Sequence, residues 1–432
     1  MLEIKKLISA SWIKFRIHKK ELSWVFLGQI MAFSGGVVGV KLLTNMLGPQ
    51  GYGELALGMT IAVVSQQIFY GPFGQSAFRY YSVYRDKNQL DLFWNALKKI
   101  GLYSGIFFIL LSLLIGFLAK IIVSNKWFYL IIFASFFGIL DGINGILIAL
   151  QNAGRQRKIV ALFQGLTQWL RPLSGFLAAI LFSKNGQTVL AGFCIAMVFI
   201  TIYQSRFLGN IKFKKGYKFG HVYNNSIYKN LFNYGYPFLI WGIFGAIQFS
   251  SDRWILKYFF SEREVGIYTA MYQIANTPIL IIIGVISLFI MPILFEKSNI
   301  MDRKRIFHNV NKIVIFFLTI SAGLLLLYLF FSRQIINILS GHDFTEYSNF
   351  LPLMLVGIIL FQVGQLFYLF PMVTMQTSKY IMPKFFSMAI LIFFGIVLVK
   401  YLGLIGIIYA NLLTGLVYVL NVYYLNYRLV RA

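Results

Sequence analysis

The chain has 432 residues, of which 59% are hydrophobic and only 12% are charged, and its mean hydropathy is +0.73. A soluble globular domain carries about 25% charged residues, so this composition excludes a water-facing globular protein and indicates a membrane protein. The net charge of +26 could suggest nucleic-acid binding, but the basic residues lie in short segments between apolar runs, so no nucleic-acid partner is predicted.

The predicted elements begin with a short basic segment at residues 1–21. It lacks a signal-peptide core, and its apolar positions favour an amphipathic helix at the cytoplasmic headgroups, with a frayed polar tail as the alternative. A bilayer core about 30 Å thick needs about 20 apolar residues per helix. On that basis we predict twelve membrane-spanning helices, at residues 22–44, 53–75, 100–122, 127–150, 159–182, 187–208, 231–258, 265–292, 309–332, 350–371, 382–400 and 403–426.

The orientation follows from the distribution of Lys and Arg. Loops on the side of the N-terminus hold 29 of the 39 basic residues, among them Lys379 and Lys384, whereas the opposite side holds seven. Basic residues concentrate in cytoplasmic loops. The sequence therefore predicts a multi-pass protein of the cell inner (cytoplasmic) membrane with both termini cytoplasmic.

An internal repeat divides the chain into halves. TNMLGPQGYGELALGMTIA, from Thr44, resembles KYFFSEREVGIYTAMYQIA, from Lys257, at an offset of 213 residues that places Gly53 on Gly266. The offset covers six helices, so both halves have the same orientation. We predict an all-α fold of two six-helix lobes, with an N-lobe at 22–208, a basic linker at 209–230, a C-lobe at 231–426 and a tail at 427–432. For the linker, anchoring to anionic lipid is favoured over substrate docking.

Ionisable residues inside the spans are the candidate functional residues, because such residues are costly in a bilayer and typically face a cavity or a partner. Asp141 and Arg171 lie at similar depth on adjacent helices. They form either a structural ion pair or a site in which Arg171 binds an anionic group, the pyrophosphate of the cargo that the family resemblance described below implies, and Asp141 holds Arg171 in place between substrates.

Lys41 and Arg253 are near-equivalents in the repeat and either extend to the outer interface or line a central cavity. Asp252 is expected to face away from Arg253, because adjacent helix positions point about 100° apart. It could pair with Lys41 as an outer gate or bind a coupling ion. Arg79, at the inner end of the second helix, either sets topology or first contacts the phosphates of a cargo.

The sequence carries none of the usual motifs for catalysis, metal binding or nucleotide binding. The single Cys194 gives no disulfide framework, the four histidines are scattered, and neither a phosphate-binding loop nor a dinucleotide fingerprint is present. We therefore predict no catalytic residues, no metal, no cofactor and no enzymatic activity, with transport driven by an ion gradient, H⁺ or Na⁺, or by the gradient of the cargo.

Three segments carry a resemblance to a known family: LLTNMLGPQGYGELALG, SDRWILKYFFSEREVGIYTAMYQIA and LIALQNAGRQRKIVAL. Over essentially the whole chain the sequence resembles polysaccharide (O-antigen, Wzx-type) flippases of the multidrug/oligosaccharidyl-lipid/polysaccharide exporter superfamily. The resemblance implies translocation of an undecaprenyl-pyrophosphate-linked oligosaccharide to the outer leaflet, and glycan polymerase and chain-length proteins as partners.

The alternatives are a lipid II flippase or a drug/cation exporter of the same superfamily. A membrane-embedded glycan polymerase or glycosyltransferase is a further alternative, which the short outer loops and the parallel repeat disfavour.

Overall fold

The computed structural model describes residues 2–210, 225–297, 302–374 and 376–431, without the side chains of 2–22, 25, 209, 210, 225, 288–293, 295–297 and 377. The predicted basic cluster of the linker, at 212–221, lies outside the described residues. The backbone is helical from Leu2, and the amphipathic face predicted for residues 1–21 stays a prediction.

The described chain is built from helices joined by short turns. Ten of the twelve predicted spans each lie on one helix to within one or two residues, whereas 53–75 runs through α1, a π-helical segment and α2, and 350–371 covers α10 and α11. The helices are α1 (Leu2–Val64), a π-helical segment (Ser65–Tyr70), α2 (Gly71–Asp86), α3 (Leu90–Ile122), α4 (Asn125–Ala153), α5 (Arg157–Leu181), α6 (Gly186–Arg206), α7 (Asn225–Phe259), α8 (Glu262–Lys297), α9 (Arg303–Ser340), α10 (Leu351–Phe367), α11 (Leu369–Val373), α12 (Ile381–Leu402) and α13 (Leu404–Arg431).

The first two spans lie on one continuous run of helix that bends sharply at Gly48. Gly48 has φ +63°, a conformation that costs glycine little, and Pro49 begins the next helical turn. Within the described residues, nine elements are long and apolar enough to cross a membrane, one of them the 61-residue run from Phe26 to Asp86 that contains two spans. Helices α5 and α7, which carry the candidate residues Arg171, Asp252 and Arg253, match the predicted spans 159–182 and 231–258 but are not among these nine.

The helices form two lobes. Helices α1–α6 pack together, α7–α13 pack together, and the lobes meet where α1 contacts α8 and α2 contacts α7. The turns near Gly48, Ser124, Asn185, Ser261 and Gly341 gather at one end of the bundle, which is the end that the basic residues predict to be outside the cell; we name it the outer end. The protein is thus an all-helical, multi-pass membrane protein with two lobes related by a parallel repeat.

Candidate functional site at the lobe interface

The lobes touch most closely at the two glycines that the repeat aligns. A Cβ atom on Gly53 would overlap the backbone carbonyl of Glu262, and a Cβ atom on Gly266 would overlap that of Pro49. Pro49 and Glu262 are themselves 213 residues apart, so the contact is symmetric. Only glycine permits this approach, and the pseudo-two-fold axis passes through it.

Charged side chains connect the lobes beside these glycines. The Lys126 ammonium on α4 lies 2.5 Å from the Glu54 carboxylate of the same lobe and 4.0 Å from Glu262 of the C-lobe. Glu262 also pairs with Lys257 at 2.9 Å, and Glu54 accepts a hydrogen bond from the backbone N–H of Gly186. We call Glu54, Lys126, Lys257 and Glu262 the outer ion network; it joins both lobes.

Aromatic rings extend the same contact. The Trp127 and Trp254 rings, one from each lobe, lie 5.9 Å apart, and the Trp254 indole N–H donates to the Thr60 hydroxyl at 2.9 Å. Tyr52 of the N-lobe meets Phe344 of the C-lobe edge-on at 6.1 Å. Glycine contact, ion network and rings together close the outer end between the lobes.

Directly below, Arg253 and Asp252 form a buried ion pair in the C-lobe. The guanidinium lies 3.0 Å from the Asp252 carboxylate and donates to the Phe249 carbonyl, and Tyr268 donates to the other Asp252 oxygen at 2.5 Å. Only 2% of Arg253 and 4% of Asp252 is exposed. The expectation that Asp252 faces away from Arg253 is wrong, because the long Arg253 side chain curls back to its neighbour.

Lys41 does not share this environment. It is exposed on α1, whereas Arg253 is buried, so the two near-equivalent positions do not present cations symmetrically. The carboxylate predicted as a partner for Lys41, that of Asp252, is taken up by Arg253 and Tyr268.

Arg171 and Asp141 lie inside the N-lobe, as their equal depth predicts. The guanidinium of Arg171 stacks on Phe137 of α4 at 4.8 Å and on Phe193 of α6 at 5.4 Å, and its charge interacts with that of Asp141. Both side chains are half-buried. The structure therefore places the two charges near each other and leaves both groups partly accessible, but among the described contacts no hydrogen bond or ion pair within 4 Å joins them.

Sequence reasoning missed Lys384, which was counted as an inner-loop residue; that placement is wrong. It lies in α12 with 4% of its surface exposed, and its ammonium faces Phe361 at 4.7 Å, Trp241 at 5.3 Å and Tyr418 at 5.8 Å. Among the described side chains it has no anionic partner. Lys384 also lies 213 residues after Arg171, the offset that relates Gly53 to Gly266, and that spacing was the signal that could have identified it.

An open groove of mixed polar and apolar lining runs along the inner half of the N-lobe, between the bent second span and α4. It encloses about 460 Å³, within the range of about 300–1,000 Å³ typical of small-molecule sites. We call it the N-lobe groove; its lining residues combine carboxamides, glycines and one exposed ring, and include Gln66, Gln67, Gly74, Gln75, Phe78, Gly145 and Asn152. No charged residue is among those that line it.

The π-helical segment shapes this groove. Residues Ser65–Tyr70 are wound with one extra residue per turn, a feature that recurs at functional sites. The Tyr70 ring packs against Gly142 of α4, and its hydroxyl donates to the Gly101 carbonyl. The exposed Arg79 follows Gln75 by one helical turn toward the inner end. The described residues contain no group of three His, Cys, Asp or Glu side chains that could hold a metal ion.

The sequence over residues 19–298 matches the family model described as "Polysaccharide biosynthesis protein". The chain belongs to this family. The match covers most of the chain and includes the outer glycine contact, the Asp141–Arg171 pair, the Asp252–Arg253 pair and the N-lobe groove. No curated protein sequence matches the chain.

Solved structures extend the family assignment to the fold. The chain is similar to "Lipid II flippase MurJ, inward closed conformation", with TM-score 0.70, 15% identity and coverage of 94% of this chain and 86% of that one. It is also similar to a MATE family transporter of the MOP superfamily in an inward-facing conformation, with TM-score 0.62, 16% identity and coverage of 95% and 98%. The outward-facing form of a MATE transporter gives TM-score 0.61, 13% identity and coverage of 96% of both chains.

At these identities the likeness shows the fold alone, which is that of MOP-superfamily transporters. The resemblance stated from the sequence motifs is confirmed at the level of the polysaccharide biosynthesis family, and the fold it implies is that of these solved structures. The similar structures are a lipid II flippase and multidrug transporters, so proteins with this fold differ in what they carry.

Proposed function

We propose that the protein is a flippase that moves an undecaprenyl-pyrophosphate-linked oligosaccharide, such as an O-antigen repeat unit, from the cytoplasmic to the outer leaflet of the inner membrane. The lobes alternate between a state closed at the outer end and a state closed at the inner end. The observation that carries this proposal is the closed outer end combined with an open groove in the inner half of the N-lobe that presents several carboxamide side chains. A hydrated headgroup cannot cross hydrocarbon unaided, so a polar path is what the protein supplies.

Arg171, Arg253, Lys41 and Arg79 are the proposed cationic contacts of the pyrophosphate along this path. Asp141 and Asp252 are the proposed gating or ion-coupling residues, because a phosphate could replace either carboxylate beside its arginine. Asp252 pairs with Arg253 at 3.0 Å, and the charge of Asp141 interacts with that of Arg171 over a longer distance. The bilayer, H⁺ or Na⁺, and the glycan polymerase and chain-length machinery are the further proposed partners.

A lipid II flippase is the second candidate, favoured by the similarity of the fold to MurJ. A drug or cation exporter is less favoured, since both in-span carboxylates are next to arginines and no acidic residue lines the N-lobe groove. A cation would therefore find no uncompensated negative charge at these positions.

Reconstitution in liposomes tests the proposal. The purified protein is incorporated with the labelled lipid-linked repeat unit of its own cells or with labelled lipid II, and a membrane-impermeant hydrolase outside reports which pool becomes accessible. We expect the repeat unit of the inner leaflet, which is protected from the hydrolase at first, to become hydrolysed with time, and the lipid II of the inner leaflet to stay protected. Draining of lipid II alone would establish the second candidate, and draining of neither would reject both.

The cationic contacts are tested in the same vesicles. Arg171→Gln, Arg253→Gln and Arg79→Gln are each expected to slow the exchange of repeat unit, and unchanged rates in all of these and in Lys41→Gln would reject the cationic path. Imposed gradients of H⁺ or Na⁺ identify the coupling ion, while a rate insensitive to both indicates transport driven by the cargo gradient.

A further inference from the structure

On the basis of the proposed function, we propose that the sugar part of the cargo binds in the N-lobe groove through the carboxamides of Gln66, Gln75 and Asn152. The pyrophosphate lies outside the groove, against Arg79. The N-lobe groove would then select the glycan, whereas the cationic residues hold the part that all polyprenyl-pyrophosphate cargoes share.

The lining chemistry matches sugar hydroxyls. A carboxamide offers two donors and an acceptor with two lone pairs, which suits neighbouring hydroxyls that both donate and accept. Within the described part of the chain, no protein group hydrogen-bonds to the side chains of Gln66, Gln75 or Asn152, so these groups are free for a ligand. The exposed Phe78 ring adds an apolar surface for the C–H face of a sugar.

Two glycines keep the groove open without serving the packing of the helices. A Cβ atom on Gly74 or on Gly145 would meet nothing within 4 Å, unlike Gly142 nearby, whose added Cβ would collide with the Tyr70 ring. Helix contact therefore requires Gly142 but not Gly74 or Gly145. Their effect is to leave room inside the N-lobe groove.

Charge confines the phosphate to the ends of the groove. Positions four apart share a helix face, which places Arg79 one turn beyond Gln75 at the inner end. By the same spacing Asp141 lies one turn beyond Gly145 at the other end, where its charge interacts with that of Arg171. The uncharged N-lobe groove thus lies between two cationic positions, and a pyrophosphate would pass from Arg79 toward Arg171 while the sugars occupy the carboxamides.

Two groove variants of the full-length protein test this assignment: Gly145→Leu, which fills the open space, and the double variant Gln75→Ala/Asn152→Ala, which removes carboxamides. Gly323→Leu is the matched control, because Gly323 is exposed on α9 and a Cβ atom there also meets nothing within 4 Å. Binding is measured for undecaprenyl pyrophosphate alone and for the same lipid carrying the repeat unit of the source cells.

We expect both groove variants to weaken binding of the glycosylated lipid about tenfold, corresponding to one or two lost hydrogen bonds, and to leave binding of the bare lipid unchanged. Arg79→Gln should weaken both ligands, and Gly323→Leu neither. Two outcomes would overturn the groove assignment and leave the flippase proposal standing. In the first, the groove variants bind the glycosylated lipid as tightly as the unsubstituted protein does. In the second, they lose equal affinity for the glycosylated and the bare lipid. Failure of the unsubstituted protein to bind the glycosylated lipid would overturn both.

Discussion

A methyl group at the pseudo-two-fold axis should open the outer end. In Gly53→Ala the new Cβ atom collides with the backbone carbonyl of Glu262. Because that atom belongs to the first turn of α8, it cannot rotate away as a side chain would. The collision is relieved only when α8 moves away from the bent second span, which is the motion that separates the lobes.

The free-energy cost of closing the outer end in Gly53→Ala can be estimated from the known cost of overpacking. Inserting a methyl group into a well-packed contact costs about 1–3 kcal/mol, which changes the ratio of closed to open outer ends by about five- to 150-fold. Gly36→Ala on the same helix is the control, since a Cβ atom at Gly36 meets nothing within 4 Å. Both substitutions gain the same helix propensity of about 1 kcal/mol, so this term cancels in the comparison.

Spin labels at Lys184→Cys in the N-lobe and His342→Cys in the C-lobe report the separation. Both positions are exposed at the outer end, and the native Cys194 is buried. Pulsed distance measurements in liposomes should show a longer distance gaining population in Gly53→Ala and not in Gly36→Ala. Identical distance distributions for the two variants would refute the role of the glycine contact.

Three further predictions concern the charged residues. Lys126→Met and Glu262→Gln should each shift the same label distances toward the open form. The coupling free energy between the two substitutions should be below about 1 kcal/mol, because Lys126 is one-third exposed. Strictly additive shifts in the double variant would show that the pair is not coupled. Asp252→Asn should lower stability by about 3 kcal/mol by leaving Arg253 buried and uncompensated, and the double variant with Arg253→Gln should recover most of it in thermal unfolding in detergent. Lys384→Met should keep or raise the melting temperature while abolishing export, whereas a lower melting temperature would show that the buried ammonium is a net stabiliser.

The fold was predictable because its signal is local. Runs of about 20 apolar residues and the sorting of Lys and Arg define twelve spans without reference to any contact. The repeat went further, because aligning Gly53 with Gly266 from sequence alone identified the two residues on which the lobes meet. A symmetric contact at the axis between repeats requires equivalent positions, so the alignment carried three-dimensional information.

The site was predictable only in part, because its geometry depends on residues distant in sequence. The predicted span 382–400 already contained Lys384, but the rings around it come from α7, α10 and α13, and nothing local predicted that they would enclose its ammonium. Nothing in the sequence linked Lys126 with Glu262, 136 positions later in the chain, until the packed helices placed them in one network. The N-lobe groove depends on the π-helical segment and on open space beside Gly145, neither of which hydrophobic periodicity reveals.

The equivalence of Arg171 and Lys384 indicates how two similar lobes can do different work. Each lobe holds one cation against aromatic rings at the same place in the repeat, a position that membrane insertion alone would disfavour. Arg171 is half-buried and interacts with Asp141, so a phosphate can replace the carboxylate there, whereas Lys384 is enclosed by rings and has no anionic partner among the described side chains. In the proposed transport cycle, a cargo entering the N-lobe would therefore meet the accessible Arg171 first. Access to the Lys384 ammonium requires its rings to separate, so the C-lobe cation can act only after the lobe has rearranged.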